Sequence, residues 1–389
     1  MEITLEKAKE EQRERHILWN AFASFCITPR MQEAVLAYFE SPQNALLAGE
    51  REWSTFFRLA EQLRFSESQK QRIREVLRGE HEKEYECLEK KGISFITQED
   101  KEYPEKFRTL FSAPRFLYYK GVLPGEIPLI AIIGARNCSH YGSETAWRIA
   151  KKLAEQGVGI VSGLAYGVDK AAHDGALSGG GPTYAVLGCG VDICYPKANE
   201  RTYDRILSEG GSIISEYPPG TQPLPCFFPQ RNRIIAGFSD GILVTEARKK
   251  SGSLITVSFG LEYGKNIYAV PGRIDDVVSE GCNYLLKEGA KPVTGAEDIL
   301  EDFMSTKPGK RKKQEDGNMR NLSAGPLSER EKAVYRCLSI HFMHIDEICS
   351  KTGLDPRELA QILEALARKG YIARHGQAYY SVFSGSKQE

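Results

Sequence analysis

Two arginines flank an asparagine in the segment FFPQRNRIIAG, directly before an apolar run. Arginine suits bidentate contact with phosphate oxygens, because its planar guanidinium presents several N–H donors in a fixed fork. Pro229 is typical of a first helical turn, so the segment predicts a helix that begins near Pro229 with Arg231 and Arg233 in that turn. With Asn232 between them, the two arginines predict an anion-binding site.

A second anion-binding pattern follows in VTEARKKSGSLIT. Ser251, Gly252 and Ser253 stand where a helix is predicted to begin, and Thr256 lies one turn further on. The free backbone amides of a helix N-terminus attract anions, and hydroxyl groups beside them add donors. The sequence contains no G-x-x-x-x-G-K-[ST] motif, which excludes a P-loop NTPase.

Two earlier glycine-containing loops add further candidates. In IGARNCSHYG, Gly134 frees the turn, and Arg136 and Ser139 precede a predicted helix. This loop lacks the G-x-G-x-x-G spacing, which disfavours a dinucleotide site. In SGLAYGVDK, Gly163 permits a close backbone approach, and Tyr166 offers a face on which a base stacks.

The segments that carry these residues alternate short apolar strands with helical patterns over residues 83–303. Near-continuous apolar strands such as LIAII, GIVS, YAVL and GILV indicate a parallel sheet covered on both faces. We therefore predict an α/β fold with a doubly wound, Rossmann-like parallel sheet. Ligands of such sheets bind at the carboxyl ends of the strands, so the loops above are expected to meet in one basic pocket.

The regions on either side predict further units. Residues 1–80 show only helical periodicity, which indicates an N-terminal all-α module, and residues 83–122 add the short strand pattern ISFITQ and the β-rich FLYYKG. Residues 304–326 are polar and indicate a linker. Residues 327–389 predict a winged helix, with three helices, a strand pair turning at His375–Gly376, and a capping box formed by Ser328 and Glu331.

Composition narrows the class of protein. The chain has 389 residues with 52 basic and 52 acidic side chains, so any nucleic-acid contact must come from a local patch. Its nine cysteines form no C-x-x-C pair, which disfavours a zinc or redox site, and we predict no metal and no cofactor. The charged N-terminus and the absence of long apolar stretches predict a cytoplasmic protein with no membrane span.

The motifs IGARNCSHYG, SGLAYGVDKAAHDGAL, VLGCGVDICYP, SEYPPG, FPQRNRIIAG, TEARKKSGSLIT and AVPG occur in this order, and together they resemble the DprA/Smf family. The resemblance covers about residues 83–303. It implies a non-enzymatic, single-stranded DNA-binding protein that protects incoming DNA in natural transformation and loads the RecA recombinase. It also implies a homodimer formed through the Rossmann-like domain. The DNA-binding residues carried over are Gly134, Arg136, Ser139, Gly163, Tyr166, Arg231, Asn232, Arg233, Ser251, Gly252, Ser253 and Thr256.

Two questions stay open at the level of sequence. The Rossmann-like pattern is also similar to that of the lonely-guy nucleotide phosphoribohydrolases, but Phe259 stands where their catalytic glutamate is expected. A nucleotide phosphoribohydrolase is therefore the alternative function. The ligands of the flanking units are also open, because residues 1–80 have CITPR in place of a Gly-x-Gly hairpin and the predicted recognition helix, DPRELAQILEALARKG, starts with acidic residues.

Overall fold

A computed structural model describes residues 2–108, 110, 112–304, 328–338, 343–369, 371–375 and 379–382. The chain divides into two compact units, one up to residue 307 and the other from residue 308 onward. The predicted linker at residues 304–326 lies outside the described residues, apart from its first residue. No helix in these ranges is both long enough and apolar enough to span a bilayer.

The first unit combines helices with one large sheet. Its helices are α1 (Glu2–Ala23), α2 (Pro29–Phe39), α3 (Pro42–Leu47), α4 (Glu50–Leu59), α5 (Glu67–Val76), α6 (His81–Lys90), α7 (Glu105–Arg108), α8 (His140–Glu155), α9 (Val168–Ser178), α10 (Glu200–Ser208), α11 (Phe227–Phe238), α12 (Ser253–Glu262), α13 (Glu280–Lys287) and α14 (Glu297–Met304). Its strands are β1 (Ser94–Thr97), β2 (Phe116–Gly121), β3 (Leu129–Ile133), β4 (Gly159–Ser162), β5 (Thr183–Val186), β6 (Ser212–Ser215), β7 (Gly241–Val244), β8 (Asn266–Ala269) and β9 (Lys291–Pro292).

The nine strands form one sheet in the order β1-β2-β6-β5-β4-β3-β7-β8-β9. Pairing is parallel from β6 through β9, which confirms the predicted doubly wound architecture. The β1–β2 and β2–β6 pairs are antiparallel, so the segment at residues 83–122 extends the sheet at one edge. The chain runs outward from β3 in both directions, which places a topological switch point between β3 and β7.

The strands are buried because both faces of the sheet are covered. All five residues of β3 are buried, as its uninterrupted apolar run predicts. One hydrophobic cluster joins Phe22, Trp53 and Ile73 of the N-terminal helices to Leu187 and Ile213 of the sheet region. Because the N-terminal helices and the sheet share this core, the domain boundary near residue 80 stays a prediction.

Asp100 attaches α1 to the loop after β1. Its carboxylate, which is buried, accepts hydrogen bonds from His16 Nε2 at 2.7 Å, Arg15 Nη2 at 2.9 Å and the Thr97 amide at 2.7 Å. Burial by itself raises the pKa of this carboxyl, but the hydrogen bonds from His16 and Thr97 outweigh it and hold the pKa well below its ordinary value. The ionised carboxylate therefore stabilises the packing of α1 against the sheet edge.

The second unit confirms the predicted winged helix. Its elements are α15 (Glu329–Cys337), β10 (Met343–His344), α16 (Ile345–Thr352), α17 (Pro356–Arg368), β11 (Ile372–His375) and β12 (Tyr379–Val382), and its antiparallel sheet has the order β10-β12-β11. The capping box is also confirmed, since the Ser328 amide donates to Glu331 Oε2 at 2.8 Å. In the predicted turn at His375–Gly376, Gly376 lies outside the described residues.

Candidate anion-binding cleft

A cleft of about 630 Å³ opens at the carboxyl end of β3, where the loop after that strand meets the starts of α11 and α12. It lies at the switch point of the sheet, the place where open α/β sheets bind ligands. Eight of the predicted site residues line it: Gly134, Arg136, Arg231, Asn232, Ser251, Gly252, Ser253 and Thr256. The other predicted residues, Ser139, Gly163, Tyr166 and Arg233, are not among its lining.

Arg231 forms part of the floor of the cleft and is only 4% exposed. Its Nη1 donates to the carbonyl oxygen of Gly163 at 2.9 Å and to that of Val186, and its Nε donates to Asn232 Oδ1 at 3.3 Å. Its Nη2 has no hydrogen-bond partner in the described part of the chain. Burial lowers the pKa of the Arg231 guanidinium, and a desolvated cation with a free donor is a strong point of attachment for an anion.

Gly163 acts through Arg231 rather than by lining the cleft. A Cβ atom at Gly163 would lie 2.6 Å from Arg231 Nη2 and 2.7 Å from Nη1, closer than heavy atoms approach. The absence of a side chain therefore lets the guanidinium lie against the backbone after β4. Glycine thus permits a close approach here, and the group that approaches is a protein side chain; contact of Gly163 with DNA stays a prediction.

The structure does not bring Arg233 to the cleft. Its Nη2 donates to the carboxylate of Glu216 and its Nη1 to the carbonyl oxygen of Ser112, with the Arg233 and Glu216 side chains 5% and 6% exposed. Because α11 begins at Phe227 rather than near Pro229, both arginines lie in its second turn instead of the predicted first. Residues two apart on a helix point about 200° apart, so only one arginine faces the cleft.

The N-terminus of α8 is closed by a carboxylate of the protein itself. Ser139 donates its amide to Glu246 Oε2 at 2.8 Å and its hydroxyl to Glu246 Oε1 at 2.5 Å, and Glu246 is 2% exposed. A Cβ at Gly142 would lie 2.4 Å from this carboxylate, so the helix start leaves room only for glycine beside it. Ser139 was predicted to serve a bound anion, and here that anion is the side chain of Glu246.

A second carboxylate fills the loop after β4. Asp169 is 7% exposed and accepts the amides of Gly163 at 3.1 Å and Ala165 at 3.4 Å. Burial raises the pKa of Asp169, while the positive charge of Arg231 and the two amide hydrogen bonds oppose that shift. Asp169 also lines the cleft, whereas Tyr166, in the same loop, is 49% exposed and outside the lining.

The N-terminus of α12 has no carboxylate partner among the described residues, and its first amides bond to neighbouring atoms: that of Ser253 to Ser251 Oγ at 3.4 Å, and those of Leu254 and Ile255 to the carbonyls of Ser251 and Gly252. Gly252 occupies the N-cap position and provides no side-chain hydrogen bond to the helix. The hydroxyls of Ser251 and Ser253 lie 2.7 Å apart at this helix start. Thr256, one turn further, is 1% exposed and lines the cleft, and its hydroxyl has no hydrogen-bond partner within the described ranges. The free Thr256 hydroxyl and the two serine hydroxyls, which bond to each other, therefore lie where a phosphate would meet the helix dipole.

Aromatic rings and further cations form the wall and rim of the cleft. The guanidinium carbons of Arg136 and Arg231 lie 5.3 and 5.9 Å from the centroid of the Phe228 ring, and the Tyr195 ring lies 5.7 Å away from it at 38°. Arg136 is exposed, and both tyrosine and phenylalanine line the cleft. A nucleobase that enters therefore meets aromatic and guanidinium planes, both of which stack on bases.

Three polar lining residues outside the predicted set are Arg248, Tyr195 and Asp169. Arg248 lies with Lys250 at the exposed rim. Tyr195 ends the loop after β5, and Asp169 lies in the first turn of α9. The signal for all three was their position after the carboxyl end of a strand. Asn232 connects the two helix starts, since its Nδ2 donates to the Gly252 carbonyl at 3.2 Å.

The cleft has the chemistry of a binding site for an anion with an attached ring. Arg136, Arg231, Arg248 and Lys250 face a single lining carboxylate, that of Asp169, which already accepts two amides. At the position where the lonely-guy enzymes need a glutamate, Phe259 stacks on Tyr263 with the ring centroids 6.2 Å apart, outside the cleft lining.

Comparison with known proteins agrees with the resemblance predicted from the motifs. Residues 94–304 match the family model described as DNA recombination-mediator protein A, and residues 320–377 match that of the DprA winged helix domain. DNA processing protein DprA of Streptococcus pneumoniae is 46% identical over 202 residues, which are 52% of this chain and 71% of that protein. Protein Smf of Synechocystis is 39% identical over 217 residues, 54% of each chain. The X-ray structure of the S. pneumoniae protein matches with a TM-score of 0.58 and 33% identity, and it covers 74% of this chain and 97% of that one.

Proposed function

Since the chain belongs to the DNA recombination-mediator protein A family, we propose that its cleft binds single-stranded DNA. The observation that carries the proposal is that the buried Arg231, with its free Nη2, and Thr256, with its unpartnered hydroxyl, line one cleft at a helix start that no described carboxylate caps. The other sites that the sequence predicts for anions are filled by Glu246, Asp169 and Glu216. Of the predicted anion sites in the described ranges, the part of the cleft beside Arg231 and Thr256 therefore has no carboxylate partner of its own.

The proposed binding mode divides the cleft into two parts. A phosphate accepts hydrogen bonds from Arg231 Nη2 and the Thr256 hydroxyl, and the positive end of the α12 dipole attracts it further. An adjoining base stacks against Phe228 and Tyr195, and in doing so it displaces the Arg136 guanidinium or stacks upon it. Stacking and phosphate contact do not depend on the base, so the protein binds strands of any sequence.

We propose further that DNA held in this way is protected and passed to RecA, and that the protein acts as a cytoplasmic homodimer formed through the Rossmann-like domain. These functions are what the family resemblance implies, and the names of the relatives, which call them DNA processing proteins, support the DNA-handling part. Light scattering, which gives the molar mass in solution, tests whether the protein is a dimer. The rate at which RecA assembles on a labelled strand, with and without this protein, measures the loading.

The direct test is titration of labelled oligo(dT) with the wild type and with Arg136→Ala/Lys250→Ala, two exposed rim residues. Arg148→Ala/Lys152→Ala on the exposed face of α8 is the control, because it removes the same charge away from the cleft. The rim variant should bind at least about tenfold more weakly, and the slope of log affinity against log salt should fall by about 0.7 for each of the two cations that contacts a phosphate along the strand. Equal losses in both variants would contradict the proposal, and release of free base from a nucleoside monophosphate would favour the phosphoribohydrolase instead.

A further inference from the structure

The N-terminal helices contain a second concave surface, separate from the cleft. A groove of about 150 Å³ lies between α4 and α5, and we call it the α4–α5 groove. Its apolar walls are formed by Trp53, Phe57, Ile73 and Leu77. An apolar cavity of about this size remains dry and accepts a benzene molecule, so the groove has room for one phenyl or branched aliphatic side chain.

The walls of the groove are held in place by the core behind them. Trp53 is 3% exposed, its Nε1 donates to the Ala45 carbonyl at 3.0 Å, and its ring packs edge-on against Phe25 and Phe56 at 5.5 and 5.6 Å. Ile73 is fully buried. Because these walls are already held in one conformation, binding of a side chain in the groove costs little conformational entropy of the protein.

One rim of the groove is basic. Lys70, Arg74 and Arg78 recur at intervals of four residues, which places Lys70 and Arg74 on one face of α5. Lys70 lies over the Phe57 ring at 5.7 Å and pairs with Glu67 at 2.7 Å. Arg74 and Arg78 both line the groove, and neither forms a salt bridge or side-chain hydrogen bond within the described ranges.

We propose that the α4–α5 groove is a docking site for a short acidic segment of a partner protein. One apolar side chain of the segment occupies the groove, and its flanking carboxylates pair with Arg74 and Arg78. This combination of a buried apolar anchor with charge pairs at the rim is how a weak peptide interface obtains both affinity and register.

A peptide fits the groove better than a nucleic acid does. Binding of single strands needs an aromatic face open to a base, but the Trp53 ring is enclosed by Phe25, Phe56 and Phe57, and Lys70 lies over Phe57.

The test is fluorescence polarisation of the full chain with a fluorescein-labelled peptide, acetyl-Glu-Asp-Phe-Asp-Glu. Two matched peptides serve as controls, one with serine in place of phenylalanine and one with glutamine and asparagine in place of the acids. Arg74→Ala/Arg78→Ala is compared with Arg51→Ala/Arg58→Ala, which removes the same charge from exposed positions of α4 outside the groove lining. Ser54→Trp, at an exposed residue of the lining, blocks the groove by volume.

We expect the acidic phenylalanine peptide to bind the wild type and the α4 control equally. Binding to Arg74→Ala/Arg78→Ala should be roughly three- to tenfold weaker, the effect of two exposed charge pairs, and Ser54→Trp should abolish it. Both control peptides should also bind more weakly. The proposal is overturned if the wild type shows no binding up to about 1 mM peptide, if the two double variants lose affinity equally, or if Arg74→Ala/Arg78→Ala weakens oligo(dT) binding and not peptide binding.

Discussion

Ser139 gives both its backbone amide and its hydroxyl to the carboxylate of Glu246, at 2.8 and 2.5 Å, and thereby closes the N-terminus of α8 with a charge from within the protein. The start of α12, across the same sheet edge, has no such partner among the described residues. Two helix starts that look alike in composition therefore differ in function. The carboxylate of Glu246 stabilises the start of α8, whereas the start of α12 has no described carboxylate beside it and lines the cleft proposed to hold a phosphate.

Glu246→Ala should destabilise the first unit by about 2–3 kcal/mol, because it removes two acceptors from a buried helix start. Gly142→Ala should also destabilise it, since the added Cβ would lie 2.4 Å from the Glu246 carboxylate. The free energy of unfolding is measured in urea. Glu246→Ala/Gly142→Ala should lose less of it than the two single variants lose together, because the shortened side chain at position 246 would leave room for the new methyl group. Strictly additive losses of unfolding free energy would contradict this account. The control is Glu144→Ala at an exposed α8 position, which should change the free energy of unfolding by less than about 0.5 kcal/mol.

Phe228→Leu should weaken oligo(dT) binding by about 1–3 kcal/mol while leaving stability nearly unchanged, because it removes a stacking surface from a half-exposed position. The salt dependence of binding should stay as in the wild type, since no charge is lost. Tyr284→Leu, at a position that is 45% exposed and outside the cleft, is the matched control. An affinity of Phe228→Leu equal to that of this control would exclude stacking on Phe228.

Asp169→Asn should strengthen the binding of an anionic strand, because it removes the single carboxylate of the cleft lining and keeps an oxygen that accepts the Gly163 and Ala165 amides. Burial raises the pKa of Asp169, and a phosphate nearby raises it further, so binding in the wild type takes up protons. Wild-type affinity should therefore increase as the pH falls, and this increase should be smaller in Asp169→Asn. The measurement is oligo(dT) titration of both proteins across a pH series.

His173 should make the first unit sensitive to acid. It is fully buried, its Nδ1 lies 2.7 Å from Thr183 Oγ1, and desolvation lowers its pKa from 6.5 to about 3. Between these two values the unfolded chain binds a proton that the folded chain does not. The buried neutral His173 therefore does not reduce the free energy of unfolding above about pH 6.5. Below that pH the free energy of unfolding decreases by up to about 1.4 kcal/mol for each pH unit.

The check for His173 is His173→Asn, whose amide donates to Thr183 in place of Nδ1 but does not titrate. The variant is expected to be less stable than the wild type at neutral pH and to lose less stability between about pH 6.5 and pH 5. Parallel curves of unfolding free energy against pH for the two proteins would show that the acid sensitivity comes from another group.

The Arg233–Glu216 pair should be important for stability and not for ligand binding. Arg233→Met leaves the Glu216 carboxylate buried without its charge partner and should cost about 3–5 kcal/mol, while Arg233→Met/Glu216→Gln should recover part of that loss. Oligo(dT) affinity of the folded double variant should match that of the wild type. A clear loss of affinity would return Arg233 to the set of DNA contacts.

Much of the architecture follows from local sequence patterns. Near-continuous apolar strands alternating with helical periodicity predict the parallel sheet, and β3 shows why, since all of its residues are buried. The rule that ligands bind at the carboxyl ends of such strands then predicts the location of the cleft. That Arg231 and Arg233 cannot face the same way also follows from the sequence, once the two-residue spacing is applied to a helix.

The roles of the individual charges were decided by the tertiary structure. Local patterns predict similar anion-binding chemistry for Arg231, Arg233, Ser139 and the start of α12. Which of them keeps a free donor depends on three carboxylates, Glu216, Asp169 and Glu246, two of which arrive from other segments of the chain. Pairing between distant segments has no local signature, because it depends on which side chains the packed sheet edge brings within hydrogen-bond distance. The sequence thus determined that residues suited to anion binding gather at one edge of the sheet, and the packing of that edge decided which of them already have a carboxylate partner.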